Sequence, residues 1–315
     1  MIKINDILEK TLQNMQNAAN SPYGFGGIPT GLCDLDKALY GFENSDLIVV
    51  GARPAMGKTG FLITLALNMA KLDIPVMFYS LEMSNTQIAN RIITNETGID
   101  GHRIRTGRMN DKEWDVLNRT IENIATYPIF LTDKNNWEIE VFCDKVKNDI
   151  ENTNAKIIFI DYLQLFSTRE KYQNRYEEIA LCTRELKKLA KELDIPIIVA
   201  SQLNRNVENR PSGVYVDKKP QMFDLRDSGT ICDDANVVLL LHRPEYYLRS
   251  YEDAEGNDIN GLAEVIIAKN HMGYEDTIKL RFKPEFARFE DWMNVDNSER
   301  LLDLYKNSDT IESPF

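Results

Sequence analysis

The sequence predicts an α/β fold, a mostly parallel sheet covered by helices on both faces, with an antiparallel extension after it and a separate helix before it. Three observations predict this. Short apolar runs without polar alternation, Asp46-Leu-Ile-Val-Val50, Pro75-Val-Met-Phe-Tyr79, Lys156-Ile-Ile-Phe-Ile160, Pro196-Ile-Ile-Val-Ala200 and Asn236-Val-Val-Leu-Leu-Leu241, read as strands buried on both faces. Helical segments separate them, as in α/β proteins. The later runs at 263–268, 277–282 and 287–289 are joined by turn residues and read as antiparallel.

In chain order, Ile4, Ile7, Leu8, Leu12 and Met15 recur at helical spacing, with Asn5 as a candidate cap and Asp6 and Glu9 in the first turn. Residues 3–17 are therefore expected to form an amphipathic helix, which Ser21-Pro-Tyr-Gly-Phe-Gly-Gly27 breaks. A tethered helix of this kind needs a surface for its apolar stripe, on its own domain or on a neighbouring subunit. The run at 46–50 leads into Gly51-Ala-Arg-Pro-Ala-Met-Gly-Lys-Thr59 and then a helix-like segment at 61–71, giving a strand, a tight loop and a helix. No internal repeat is visible, and the polar end reads as a short helix over 299–305 followed by a disordered tail. The expected organisation is a linker helix and hinge at 1–22, one large domain at 23–295, and the helix and tail at 296–315.

A chain of 315 residues with 43% hydrophobic residues can fill a large core. A net charge of -12 and a pI near 4.9 exclude coating of nucleic acid by bulk electrostatics, so any DNA contact must be focused in local loops. Cys33, Cys143, Cys182 and Cys232 are scattered and read as buried thiols in a reducing compartment. His102, His242 and His271 form no metal-binding spacing, which leaves Mg²⁺ with nucleotide as the expected metal. No apolar run reaches the length of a membrane span and no signal-peptide pattern opens the chain, so a cytoplasmic location is expected.

The loop after the first strand carries the clearest chemistry. The P-loop pattern is Gly, four residues, then Gly-Lys-Ser/Thr; Ala52 holds the first place and Gly57, Lys58 and Thr59 match. Backbone N–H groups at a helix start favour an anion, Lys58 adds a point charge, and Thr59 is a ligand for Mg²⁺. Arg53, Pro54, Ala55, Met56 and Gly57, with Lys58, Thr59 and Gly60, thus form the expected ATP cradle. Ligands of open parallel sheets lie beyond the carboxyl ends of the strands, where Asp161, Glu82 and Gln202 fall. Asp161 suits the Mg²⁺ shell, acting through water, and Glu82 suits a base for the attacking water, or else a cap for the next helix. Gln202 suits a contact to the γ-phosphate, or a plain polar loop.

Six segments together resemble the C-terminal motor domain of DnaB-type replicative helicases. They are Gly27-Ile-Pro-Thr-Gly-Leu32 with Asp34-Leu-Asp36, the P-loop, Ser80-Leu-Glu-Met-Ser84, Ile160-Asp-Tyr-Leu-Gln164, Ser201-Gln-Leu-Asn-Arg205 and Asp224-Leu-Arg-Asp-Ser-Gly229. The resemblance covers residues from about 3 to 292. It implies a RecA-like P-loop core, a hexameric ring with nucleotide sites between subunits, and ATP-driven 5′ to 3′ movement on single-stranded DNA with duplex unwinding. It also implies that the first helix docks on the adjacent subunit, and that a primase or helicase loader is a partner. Lys58, Thr59, Glu82, Asp161 and Gln202 take the roles given above. Arg226, Asp227 and Gly229 fall where the family's DNA loop lies, with Arg205 and Arg210 in the preceding loop. The basic stretch from His102 to Arg108 reads instead as a solvated face.

Two departures stand out. The family's Lys-x-Arg before Asn-Gly, whose arginine reaches a neighbour's γ-phosphate, is here Lys269-Asn-His-Met-Gly273. Lys269 keeps one trans cation, while His271 offers a shorter and only partly charged group. The sequence also starts near the linker helix, without the family's N-terminal collar. Both favour a rival expectation, a RecA-like ATPase that does not unwind and serves in assembly or regulation.

Overall fold

In the computed structural model, which describes residues 3–170, 172, 174–210, 218–225, 228–247 and 258–292, helix α1 (Ile4–Asn20) comes first. Next come α2 (Cys33–Leu39), β1 (Leu47–Ala52), α3 (Lys58–Ala70), β2 (Val76–Ser80) and three helices, α4 (Asn85–Thr97), α5 (Gly101–Thr106) and α6 (Asp111–Ile124). The middle of the chain forms β3 (Ile129–Thr132), α7 (Ile139–Thr153), β4 (Ile157–Asp161), α8 (Arg175–Leu193) and β5 (Ile197–Gln202). Last come α9 (Ser228–Asp234), β6 (Val237–His242), α10 (Pro244–Tyr247), β7 (Leu262–Asn270), β8 (Asp276–Lys283) and β9 (Arg288–Asp291).

The strands join in one sheet of order β3-β2-β4-β5-β1-β6-β7-β8-β9. The first six positions pair in parallel, and β6 through β9 pair antiparallel, as the apolar runs and their connections predict. Every residue of β1 is buried, and its side chains divide between two cores. Ile48, Val50 and Ala52 pack with α2, α3 and α4, while Leu47 and Val49 pack with α7 and α8. Burying each such aliphatic side chain contributes roughly 1.5–3 kcal/mol, so strands apolar on both faces are stable only with helices on both sides.

The differences from expectation are local. β2, β4 and β5 run one or two residues past their apolar runs, so Ser80, Asp161 and Gln202 are the last strand residues. β3 was not expected, because four residues between Pro128 and Asp133 at a half-exposed sheet edge carry little pattern. Helix α2 was not expected either. Its Asp36 is buried and accepts hydrogen bonds from the N–H groups of Thr30 (2.6 Å) and Gly31 (3.0 Å), which fixes the Gly27–Leu32 segment on the domain.

Helix α1 runs three residues beyond its expected end, and Asn5 is not its cap; Lys3 takes that place without a side-chain bond. Ile4, Ile7, Leu8, Leu12 and Met15 are all exposed, so the stripe has no cover among the described residues of its own chain. Among the described residues no helix is long and apolar enough to cross a membrane. The expected helix at 299–305 and the tail lie outside the described residues.

Candidate nucleotide-binding site

At the carboxyl ends of β1, β2, β4 and β5 lies a cavity of about 710 Å³. It is lined by Ala52, Arg53, Pro54, Ala55, Gly57, Lys58, Thr59 and Gly60, and across from them by Glu82 and Gln202. The loop between β1 and α3 turns through two left-handed residues, Ala55 (φ 67°) and Gly57 (φ 92°). A Cβ on Gly57 would stand 3.1 Å from the Phe289 ring, so both backbone sign and space call for glycine. Ala55 bears the strain of a left-handed non-glycine, of order 1–3 kcal/mol, and its carbonyl accepts a bond from Arg243 Nη1 at 3.2 Å. Of the expected cradle residues Met56 differs: its side chain belongs to the core beneath the loop.

The centre of the site is a contact between α3 and β4. The Thr59 hydroxyl donates to Asp161 Oδ2 at 2.6 Å, while Oδ1 of this fully buried carboxylate has no hydrogen-bond partner. Leaving a buried carboxylate oxygen unmet is costly, so the pair fits a cation at this point. Lys58 stands beside them with its ammonium 4.4 Å from the centre of the Tyr162 ring. Burial pushes the Lys58 ammonium below its usual range, and the charges of Asp161 and Glu82 pull it back. The residues present fit Mg²⁺ with a polyphosphate: a desolvated cation, an unmet carboxylate oxygen, a hydroxyl and a helix N-terminus converge.

Glu82 is exposed to the cavity and makes no hydrogen bond or ion pair with the described residues. It does not cap the next helix: Ser84 does, in a reciprocal box with Gln87. Its segment is held by Leu81 N–H on the Asp161 carbonyl (2.7 Å) and Met83 N–H on Ser80 Oγ (3.1 Å). Gln202 reaches the cavity from β5. Its N–H donates to Gln164 Oε1 (3.1 Å), and Gln164 Nε2 donates to Ser201 Oγ (2.9 Å), which ties the ends of β4 and β5.

Sequence reasoning missed part of the wall. Gln87 and Arg91 enter from successive turns of α4, and Phe282, Pro284 and Ala287 enter from the β8–β9 hairpin. The helical spacing from Ser84 was a usable signal for the first two. The hairpin had none, because only the fold brings it over α3, where Phe289 packs edge-on against Phe61 (5.3 Å).

The other expected site residues separate. Arg205 is exposed in a short 3-10 turn after β5. Arg210 grips both oxygens of the buried Asp224 (2.6 and 2.7 Å) and the Lys219 carbonyl (2.8 Å), so its fork is already engaged. Gly229 lies exposed in α9, facing Tyr176, and Arg226 and Asp227 lie outside the described residues. Lys269 and His271 lie at the far end of the sheet from the cavity. Lys269 Nζ donates to the Cys232 carbonyl at the end of α9 (2.6 Å), and His271 is exposed, its N–H on the Asn236 carbonyl (3.0 Å). The whole of β6, roughly 16 Å, separates them from the ends that hold the cavity.

A family model described as the DnaB-like helicase C terminal domain matches residues 27–291. The chain is 39% identical over 294 residues to a probable replicative DNA helicase of Trieres chinensis, covering 92% of this chain and 63% of that protein. It is 39% identical over 285 residues to the replicative DNA helicase DnaB of Rickettsia typhi, covering 84% of this chain and 56% of that one. The chain thus spans about three-fifths of the length of the curated relatives it matches. Among solved structures it resembles an ATPase domain determined on its own, with a TM-score of 0.83 at 31% identity over 92% of this chain and 99% of that one. A DnaB-like replicative helicase solved with its interactions with primase has a TM-score of 0.80 at 31% identity, over 93% of this chain and 68% of that one.

Proposed function

Because the chain belongs to the DnaB-like helicase C-terminal domain family, we propose that it is the ATP-hydrolysing motor of a replicative DNA helicase, working as a hexameric ring on single-stranded DNA. The observation that carries this reading is the Thr59–Asp161 contact with its unmet buried oxygen, next to the desolvated Lys58. Thr59 and Asp161 would hold magnesium, which when bound draws charge from the phosphate oxygens. Lys58 neutralises charge that grows on the β- and γ-phosphates as the bond between them breaks. Glu82 takes a proton from the water whose oxygen bonds to the γ-phosphorus, and the bridging oxygen leaves on ADP with the electron pair. Gln202, at the end of β5, reports loss of the γ-phosphate to the loop that follows it.

Single-stranded DNA would be held by that loop and the next, through Arg205, Arg210, Arg226, Asp227 and Gly229. An acidic chain can do this because a ring gathers the loops of all its copies into one channel. Helix α1, apolar and uncovered, supports docking on an adjacent copy, and a primase or loader is a further expected partner. The test is phosphate release from ATP with and without an oligothymidylate, alongside displacement of one strand of a forked duplex, with Glu82→Gln as the control. ATP turnover stimulated by DNA together with displacement is the expected result. Turnover indifferent to DNA, in a stable ATP-bound ring without displacement, is the outcome of the second reading, a non-unwinding ATPase, which His271 at the family's arginine position favours.

A further inference from the structure

Arg53 belongs to the phosphate loop, yet its guanidinium is turned away from the cavity. Nη1 donates to the Leu203 carbonyl at 3.1 Å, and Nε (3.1 Å) and Nη2 both donate to Glu208 Oε1. The Tyr247 phenol of α10 is a further partner. The Arg53 side chain is only 7% exposed, so a buried charge joins the nucleotide loop to the loop that follows β5. A carboxylate in a loop expected to hold DNA phosphates repels them, so Glu208 needs another reason to be there. The buried guanidinium supplies that reason.

The loop after β5 is also closed on itself at its root. Leu203 bridges Leu225, Asn204 N–H donates to the Asp224 carbonyl at 2.7 Å, Arg210 clasps Asp224, and Lys218 Nζ donates to the Glu208 carbonyl. A shift of Glu208 is therefore carried to the turn from Arg205 to Asn209 and, through Arg210, to Asp224. On the other side, Arg53 sits between the end of β1 and Pro54, whose fixed φ leaves little slack to absorb movement of the phosphate loop.

We propose that the Arg53–Glu208 pair couples the two sites, so that nucleotide in the phosphate loop sets the position of the DNA loop and DNA sets the arch of the phosphate loop. This rests on the helicase reading above. Glu208 is a positioning residue; it reaches the cavity only through Arg53. Because coupling is reciprocal, one substitution must weaken it in both directions.

The test uses the full chain with Glu208→Gln, which keeps the shape and removes the charge, and Glu208→Ala, which removes both. The readouts are ATP turnover with and without oligothymidylate, and oligothymidylate affinity with and without a non-hydrolysable ATP analogue. Basal turnover and nucleotide-free DNA affinity are expected to stay within about twofold of wild type, while both coupling ratios fall towards one, further in Ala than in Gln. A merely structural role would instead lower basal turnover and melting temperature together and leave the ratios alone, and that result overturns the proposal. Ratios equal to wild type in both variants overturn it as well. If wild type itself shows no coupling, the helicase reading fails first, and this inference falls with it.

Discussion

Gly60→Ala tests how the β8–β9 hairpin closes the site. Gly60 lies in the first turn of α3, where a Cβ would stand 2.7 Å from the Ala287 carbonyl oxygen. Ordinary contact needs about 3.4 Å or more, so roughly 0.7 Å must be found, and a backbone carbonyl cannot rotate aside as a side chain would. Two effects oppose each other in stability: alanine gains about 1 kcal/mol in helix propensity, and overpacking costs about 1–3 kcal/mol. The net change is therefore small, between about 0 and 2 kcal/mol of destabilisation. Function suffers more, because the segment that must move carries Pro284 and Ala287, part of the cavity wall. If about 1–2 kcal/mol of that strain is relieved by opening the wall, KM for ATP rises about 5- to 30-fold with a smaller change in kcat. Steady-state ATP titrations with thermal melts decide it. Adding Ala287→Gly, which frees a residue held at φ 49°, should restore part of the affinity. An unchanged KM in Gly60→Ala would refute the claim that the hairpin is held hard against the phosphate loop.

Glu82→Gln should lower turnover by about 10²–10⁴ while retaining bound nucleotide, read by phosphate release and filter binding; normal turnover would remove Glu82 from the chemistry. Asp46, at the foot of β1, has its carboxyl pushed up from 3.8 to about 6, chiefly by burial and against the pull of Lys187. The folded state therefore holds this proton more tightly than the unfolded chain, and stability is lost as pH rises from about 4 to 6. Asp46→Asn should stabilise the protein at pH 7.5 by about 1–2 kcal/mol after allowance for solvent screening, with no gain below pH 4. Urea titrations at the two pH values check it, and a less stable variant at pH 7.5 contradicts it. Lys269→Ala should reduce ATP turnover strongly and His271→Ala only slightly. A severe loss in His271→Ala at pH 7.5, absent in His271→Arg, would reverse that assignment.

The sheet and the phosphate site were legible because each rests on local pattern. An unbroken apolar run such as Ile157 to Ile160 has one stable environment, and the residue that ends it, Asp161, is placed by the run itself. Thr59 and Asp161, 102 residues apart, meet because both lie at the carboxyl ends of parallel strands of one sheet or just beyond them. Arg53 was legible only by position. Its place in the motif suggested a phosphate contact, whereas its fork is fixed by Glu208 and Leu203, about 150 residues away, which no local pattern encodes. Arg210 is the same case, because a basic residue in a loop and a basic residue clasping a buried aspartate read alike in sequence. The hairpin wall of Phe282, Pro284 and Ala287 depends on the antiparallel extension curling back over α3, a tertiary event without a sequence signature.

The geometry of β6 and β7 bears on how many chains make one working site. Parallel strands direct their carboxyl ends to the cavity, so β6 finishes near it, at Leu241 beside Ala52. The antiparallel partner β7 starts there and ends at the opposite edge, where Asn270 pairs with Val237. Lys269 and His271 are carried to that edge by the strand direction alone. They cannot approach the cavity of their own chain without dismantling the sheet. If either acts on phosphate, it acts on a nucleotide held by another copy, in a head-to-tail contact that closes into a ring. Lys269 must then leave or share the Cys232 carbonyl, which ties ring closure to the end of α9, the helix that begins in the Asp224–Gly229 segment expected to bind DNA. Turnover that depends on protein concentration, and that Lys269→Ala subunits lower when mixed into wild type, follows from this arrangement. Strictly proportional dilution of activity in such mixtures would place the whole site within one chain and contradict it.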